Sequence, residues 1–199
     1  MNLQFHQSVA NNLAEQLDLD GRRLTLGQLH DRLRGLLGGL LGGDDSQPLD
    51  KQIANVTIQF AARQAIRVRC EDGRAVLTIK LAELSQGRRR WYNFAIRAFY
   101  RPEIDGLSAD LVRDGSVRLR GKRIHIRDQF ALRGIFSKVL SPDRRLHIIS
   151  KRLAENPRLG DVQVTRLVIA DGWLGVALGP KQSPPEQRVA TDPKTGPMG

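Results

Sequence analysis

The residues able to do covalent or metal chemistry in this chain are few and scattered. Its one cysteine, Cys70, cannot form an internal disulfide. It lies in the alternating run Ile66, Val68, Cys70, where a small buried side chain is expected. The histidines His6, His30, His125 and His147 stand singly, with no second ligand at a metal-binding spacing, so neither a metal nor any other cofactor is expected. No serine sits in a Gly-x-Ser-x-Gly elbow. The glycines of 35–43 end a helical pattern and lack a following Lys-Ser/Thr, so they do not make a phosphate loop. Asp44-Asp45 and Glu71-Asp72 are neighbours in turn sequence, where carboxylates bond to local backbone. Asn55-Val56-Thr57 fits a glycosylation sequon and is read as chance. These absences together point to a non-enzymatic domain.

Charge is the stronger signal. The 199 residues carry a formal net charge of +11, an excess that favours acidic partners such as nucleic acid, anionic lipid or acidic polymers. The segment 113–152 holds twelve Lys and Arg against three Asp, whereas 1–50 holds four against seven acidic residues. Arg118, Arg120 and Lys122 share one face of a predicted strand, followed by Arg123 and Arg127. Arg67 and Arg69 point to the wet side of a neighbouring strand. These seven residues are the candidate anion-binding set. The competing reading is a solvated sheet face whose arginines guard an edge. Tyr92, Phe94 and Tyr100 fall on the face assigned to the core, so no exposed aromatics are expected among the arginines. Sequence-specific nucleic-acid recognition is therefore not expected.

The elements that must position these residues follow from periodicity. Val9, Leu13 and Leu17 share a helix face over 6–19. Thr25 and Gln28 form a capping-box pattern before a stripe of Leu26, Leu29, Leu33, Leu36, Leu37 and Leu40. From about 53 to 122 the period becomes 2, giving six short strands joined by tight turns, an antiparallel meander with one buried and one wet face. Tyr92, Phe94, Ile96, Ala98 and Tyr100 are placed on the buried face. Asp128 is the expected N-cap of a second helix with Leu132, Ile135, Phe136, Val139 and Leu140 inward; Ser141-Pro142 restarts it and Asn156-Pro157 ends it. A hairpin over 162–178 turns at Asp171-Gly172. The expected architecture is one α+β domain over 1–178, a curved antiparallel sheet packed against helices, followed by a disordered tail over 179–199.

This order of elements over residues 5–178, with its closing Val162–Ala170, Asp171-Gly172 and Trp173–Leu178, resembles the tubular lipid-binding (TULIP) superfamily, which includes small bacterial envelope lipid binders. The resemblance implies an apolar ligand held between helix and sheet with no chemistry done on it. Leu29, Leu33, Leu36, Leu37, Leu40, Leu77, Ile79, Phe94 and Ile96 would line the space, and the basic strip would meet an anionic headgroup. The leading expectation is thus a module that holds or contacts a lipid-like amphiphile or an anionic membrane surface. The alternatives are a dry-core structural or protein-interaction domain, and a nucleic-acid or acidic-polymer binder. The opening Met-Asn-Leu-Gln-Phe-His lacks the features of a secretory signal, so a cytoplasmic location is expected. The cell envelope is the alternative if the chain is one module of a longer precursor.

Overall fold

The computed structural model describes residues 1–32, 49–121, 124–141, 145–149 and 155–181. Strand β1 (Asn2–His6) leads directly into α1 (Gln7–Gln16). After β2 (Arg23–Thr25), helix α2 begins at residue 26 and is described to residue 32. The short α3 (Lys51–Ala54) precedes β3 (Thr57–Phe60), β4 (Ile66–Glu71), β5 (Arg74–Gln86), β6 (Arg89–Asp105), β7 (Ser108–Arg113) and β8 (Arg118–Arg120). Helix α4 (Ile126–Val139), the two-residue β9 (Leu146–His147), a 3-10 turn (Pro157–Leu159) and the hairpin β10 (Val162–Ala170)–β11 (Trp173–Pro180) follow among the described residues.

The fold is α+β, built on a curled antiparallel sheet of half-barrel type. Its spine is the long pair β5–β6. One edge of β5 is shared end to end by β4 and β3, and the far edge of β6 by β8 and β7. The simple six-strand meander expected from alternation is thereby corrected. The loop at Asp114-Gly115 does not close a hairpin; β7 and β8 both pair with β6. Strand β6 also runs on past Tyr100 through Pro102 to Asp105.

Two elements cover the concave face. Leu132, Ile135, Phe136 and Val139 of α4 close over Ile79, Leu81, Phe94 and Ile96, with Leu26 and Leu29 of α2 in the same cluster. The sheet β1–β11–β10 covers the other half, where Val164, Ile169, Leu174 and Val176 meet Cys70, Ala75, Ala98 and Tyr100. Backbone bonds tie that sheet down: Gly73 N–H donates to Ile169 O (3.1 Å), Gly172 N–H to Cys70 O (2.9 Å) and Val164 N–H to Gly106 O (2.8 Å). The Asp-Gly turns work as their chemistry requires, with positive φ at Asp72 and Gly73 and again at Asp171 and Gly172.

Several boundary expectations need correction. The first helix starts at Gln7, within one residue of the expected 6, but an unexpected strand precedes it. Residues 2–6 pair with β11, and Val9 on α1 is 49% exposed instead of core-facing. The capping box holds: Thr25 N–H donates to Gln28 Oε1 (2.9 Å) and Gln28 N–H to Thr25 Oγ1 (3.1 Å). The N-cap of α4 is His125, with Asp128 inside the first turn. There a carboxylate still favours the positive end of the helix dipole. Tyr92 is 53% exposed while Trp91 is buried. Positive φ at Asn93 kinks β6 there, so the buried face changes parity between Phe94 and Trp91. The helix expected to restart at Ser141-Pro142 and run to Asn156 is corrected at 145–149, where Leu146–His147 pair with β7 as a strand. Residues 142–144 and 150–154 lie outside the described residues, and Asn156 caps only a 3-10 turn.

Candidate functional site

The inward apolar set expected to line a ligand space divides into three. Leu29, Ile79, Phe94 and Ile96 are buried in one cluster, in contact with the side chains of α4, and Leu77 lies partly buried where the two clusters meet. Leu33, Leu36, Leu37 and Leu40 lie outside the described residues. Among the described residues, Leu29, Ile79, Phe94 and Ile96 are each 5% exposed or less and belong to one cluster with α4. Close packing of this kind contributes stability; Phe136→Ala would cost about 3–5 kcal/mol.

The anion-binding candidates fare differently. Register places Arg67 opposite Thr78, Thr78 opposite Arg97, and Arg97 opposite Arg118, a single cross-strand row on the outer face. The next rows add Lys80 with Ala95 and Arg120 on one side, and Arg69 with Val76 and Phe99 on the other. The sheet thus brings Arg67, Arg69, Arg118 and Arg120 together with Arg97 and Lys80, which sequence reasoning had not singled out. Lys122 and Arg123 lie outside the described residues. Arg127 belongs to α4, not to this face.

An aromatic does stand among the arginines, contrary to expectation. Phe99 is half-buried on the outer face, and the guanidiniums of Arg97 and Arg118 lie 5.3 and 4.8 Å from its ring centroid. The signal was available: Phe99 has the same parity in β6 as Arg97, and period 2 puts both on the wet side. Glu71 answers Arg97 at 3.1 Å; among the described residues no carboxylate pairs with Arg118 or Arg120. Like charges directly opposite one another destabilise a sheet, so this row is costly unless an anion meets it.

A second surface lies on α4. Its inward face holds Leu132, Ile135, Phe136 and Val139, which leaves Ile126 and Phe130, at i and i+4, on the opposite side. They are 74% and 69% exposed. Gly134 continues the line with open space where a side chain would stand. Arg127 and Arg133 flank Phe130 three residues to either side, and among the described residues neither forms an ion pair. The His125 side chain makes no capping bond, while its carbonyl accepts from the Asp128 and Gln129 amides (3.0 Å each). Because α4 covers the concave face, its exposed stripe and the outer arginine face point to opposite sides of the molecule.

Other charged groups are bound up internally. Asp110, only 5% exposed, accepts from His147 Nδ1 (2.7 Å) and from Arg145 (3.4 Å), which pins β9 onto β7. A groove of about 360 Å³ between α1 and β4 mixes Glu15 and Asp18 with Arg63 and Arg67. Its Asp18 pairs with Arg22, and Asp20 accepts from the Gln64 and Ala65 amides (3.0 and 2.8 Å). Cys70 is buried, as expected, and burial pushes its thiol pKa up. Among the described residues no group of three His, Cys, Asp or Glu could hold a metal, and no helix is long and apolar enough to cross a membrane. No family model, curated protein or solved structure matches the chain.

Proposed function

We propose that this chain is a non-enzymatic binding module that contacts an anionic lipid surface, with the outward stripe of α4 laid against the bilayer. The observation that carries the reading is the exposure of Ile126 and Phe130 on one helix face between Arg127 and Arg133. An apolar strip with basic flanks matches an interface that is apolar below and anionic above. Burying each of the two apolar side chains contributes about 2 kcal/mol, and each arginine near an anionic leaflet about 1 kcal/mol. Together they give weak, reversible adsorption. The low exposure of Leu29, Ile79, Phe94 and Ile96 favours contact at a surface over an amphiphile enclosed against these residues.

Co-sedimentation of the full chain with vesicles tests this. Binding is expected to phosphatidylcholine vesicles containing phosphatidylserine and not to phosphatidylcholine alone, and it weakens with salt. Ile126→Ser with Phe130→Ser should cut it at least tenfold, which corresponds to about 1.4 kcal/mol or more. No binding to the anionic vesicles, or undiminished binding by a folded double variant, would remove the reading.

A further inference from the structure

We infer that the outer face of the sheet is a second, separate binding site, and that it takes the phosphodiester backbone of a single-stranded nucleic acid. The site is the row Arg67–Thr78–Arg97–Arg118 with Lys80, Arg120 and Arg69 on either side, set around Phe99. Six cations face outward there; the nearby carboxylates are Glu71, paired with Arg97, and Asp114 beside Phe99, paired with Arg74.

Three features choose the ligand class. Five of the six cations are arginines, whose planar forks suit phosphate bidentately. The Arg97 and Arg118 guanidiniums lie 5.3 and 4.8 Å from the Phe99 ring centroid, a cation–π arrangement that gathers them over one ring, and among the described residues Arg118 has no carboxylate partner. The floor between them is low, formed by Thr78, Ala95 and Val76, so a chain can lie across the strands and reach both rims. Bases can then stack on the guanidinium–Phe99 assembly, the sequence-tolerant mode of single-strand binders.

The curvature argues against the other anionic partners. A sheet convex toward solvent touches a flat bilayer only along its crest, and its one aromatic is covered by guanidiniums instead of free to insert. A rigid duplex meets the same crest, whereas a flexible single strand follows the bend. The inference does not depend on the role proposed for α4, because the two surfaces point in opposite directions.

Fluorescence anisotropy of the full chain with labelled 20-nucleotide oligouridylate and oligothymidylate provides the test. Binding is expected at 50 mM salt, falling linearly on a log–log salt plot. Arg118→Gln with Arg120→Gln should weaken it at least tenfold and reduce the slope by about 1.4, the value for two lost phosphate contacts on a single strand. Phe99→Leu should weaken it several-fold with the slope unchanged, and Ile126→Ser with Phe130→Ser should leave it intact. The inference is overturned by absence of binding at 50 mM salt. It is equally overturned if folded Arg118/Arg120 and Phe99 variants bind like the parent, or if a 20-residue polyglutamate binds as tightly, which would make the face a site for acidic peptide. Loss of vesicle binding with retained oligonucleotide binding would count against the α4 reading alone.

Discussion

Tyr100 is buried between the sheet and the closing hairpin, and its phenol pKa is pushed up to about 12 by that burial, partly offset by the Arg113 guanidinium. Its protonated form is therefore favoured by folding. The contribution is fully present below pH 10, where the unfolded phenol titrates, and is lost as pH rises from 10 to about 12. Over that range the unfolded chain binds fewer protons than the folded one, so stability must fall with pH. Urea midpoints at pH 9 and pH 11.5 are expected to show a drop in the parent of about 2 kcal/mol that Tyr100→Phe abolishes. An equal drop in Tyr100→Phe would assign the effect to other groups. Arg113, beside it, donates to the carbonyls of Ser137 (3.2 Å) and Leu140, which end α4, so one cation both faces Tyr100 and caps a helix.

The position of α1 was legible in the sequence but its role was not, and the reason is physical. Read as an amphipathic core helix from Val9, Leu13 and Leu17, it buries none of its own residues. Instead it covers the open edge of β4 with amides. Asn11 Oδ1 accepts from Val68 N–H (2.8 Å), its Nδ2 donates to Val68 O (3.1 Å), and Gln7 Oε1 accepts from Cys70 N–H (3.0 Å). Asn and Gln standing in for a strand neighbour leave no periodic signature. Asn11→Ala is expected to lower stability by about 1 kcal/mol and to promote self-association through the exposed edge. Asn12→Ala, exposed on the same helix, should do neither. Denaturation and gel filtration of the two variants would decide, and equal behaviour would contradict the edge-covering role.

Where apolar residues simply alternated, the sequence was readable. Strand β3 with Ile58 and Phe60, β5 with Ile79 and Leu81, and the 162–178 hairpin all emerged as expected. The sharing of the β5 and β6 edges by two strands each was not readable, since pairing depends on contacts far apart in sequence. The parity change at Asn93 was hidden for the same reason: a positive φ at one polar residue moves Trp91 inward and Tyr92 outward without disturbing the hydrophobic count. The arginine face was half legible. Period 2 gave Arg67, Arg69, Arg118 and Arg120, but only register could set Arg97 between Arg118 and Thr78 and bring Phe99 under two guanidiniums. The exposed pair on α4 was visible as apolar residues left off the inward stripe, though isolated exposed apolar side chains are common and draw attention only in pairs.

At the scale of the molecule, the curled sheet separates two surfaces. Helix α4 fills the concave side and turns Ile126 and Phe130 outward; the convex side carries the arginines. The account therefore predicts an orientation: a lipid surface on the α4 side, with Arg118 facing away into water. Depth measurement by electron paramagnetic resonance reads this directly, using nitroxides attached at Phe130→Cys and, in a second protein, at Arg118→Cys. The buried Cys70, its thiol pKa raised, should stay unlabelled. On phosphatidylserine-containing vesicles the label at 130 is expected to become oxygen-accessible and shielded from aqueous nickel, while that at 118 remains in water. Immersion of 118 with 130 left in water, or no change at either, would contradict the account.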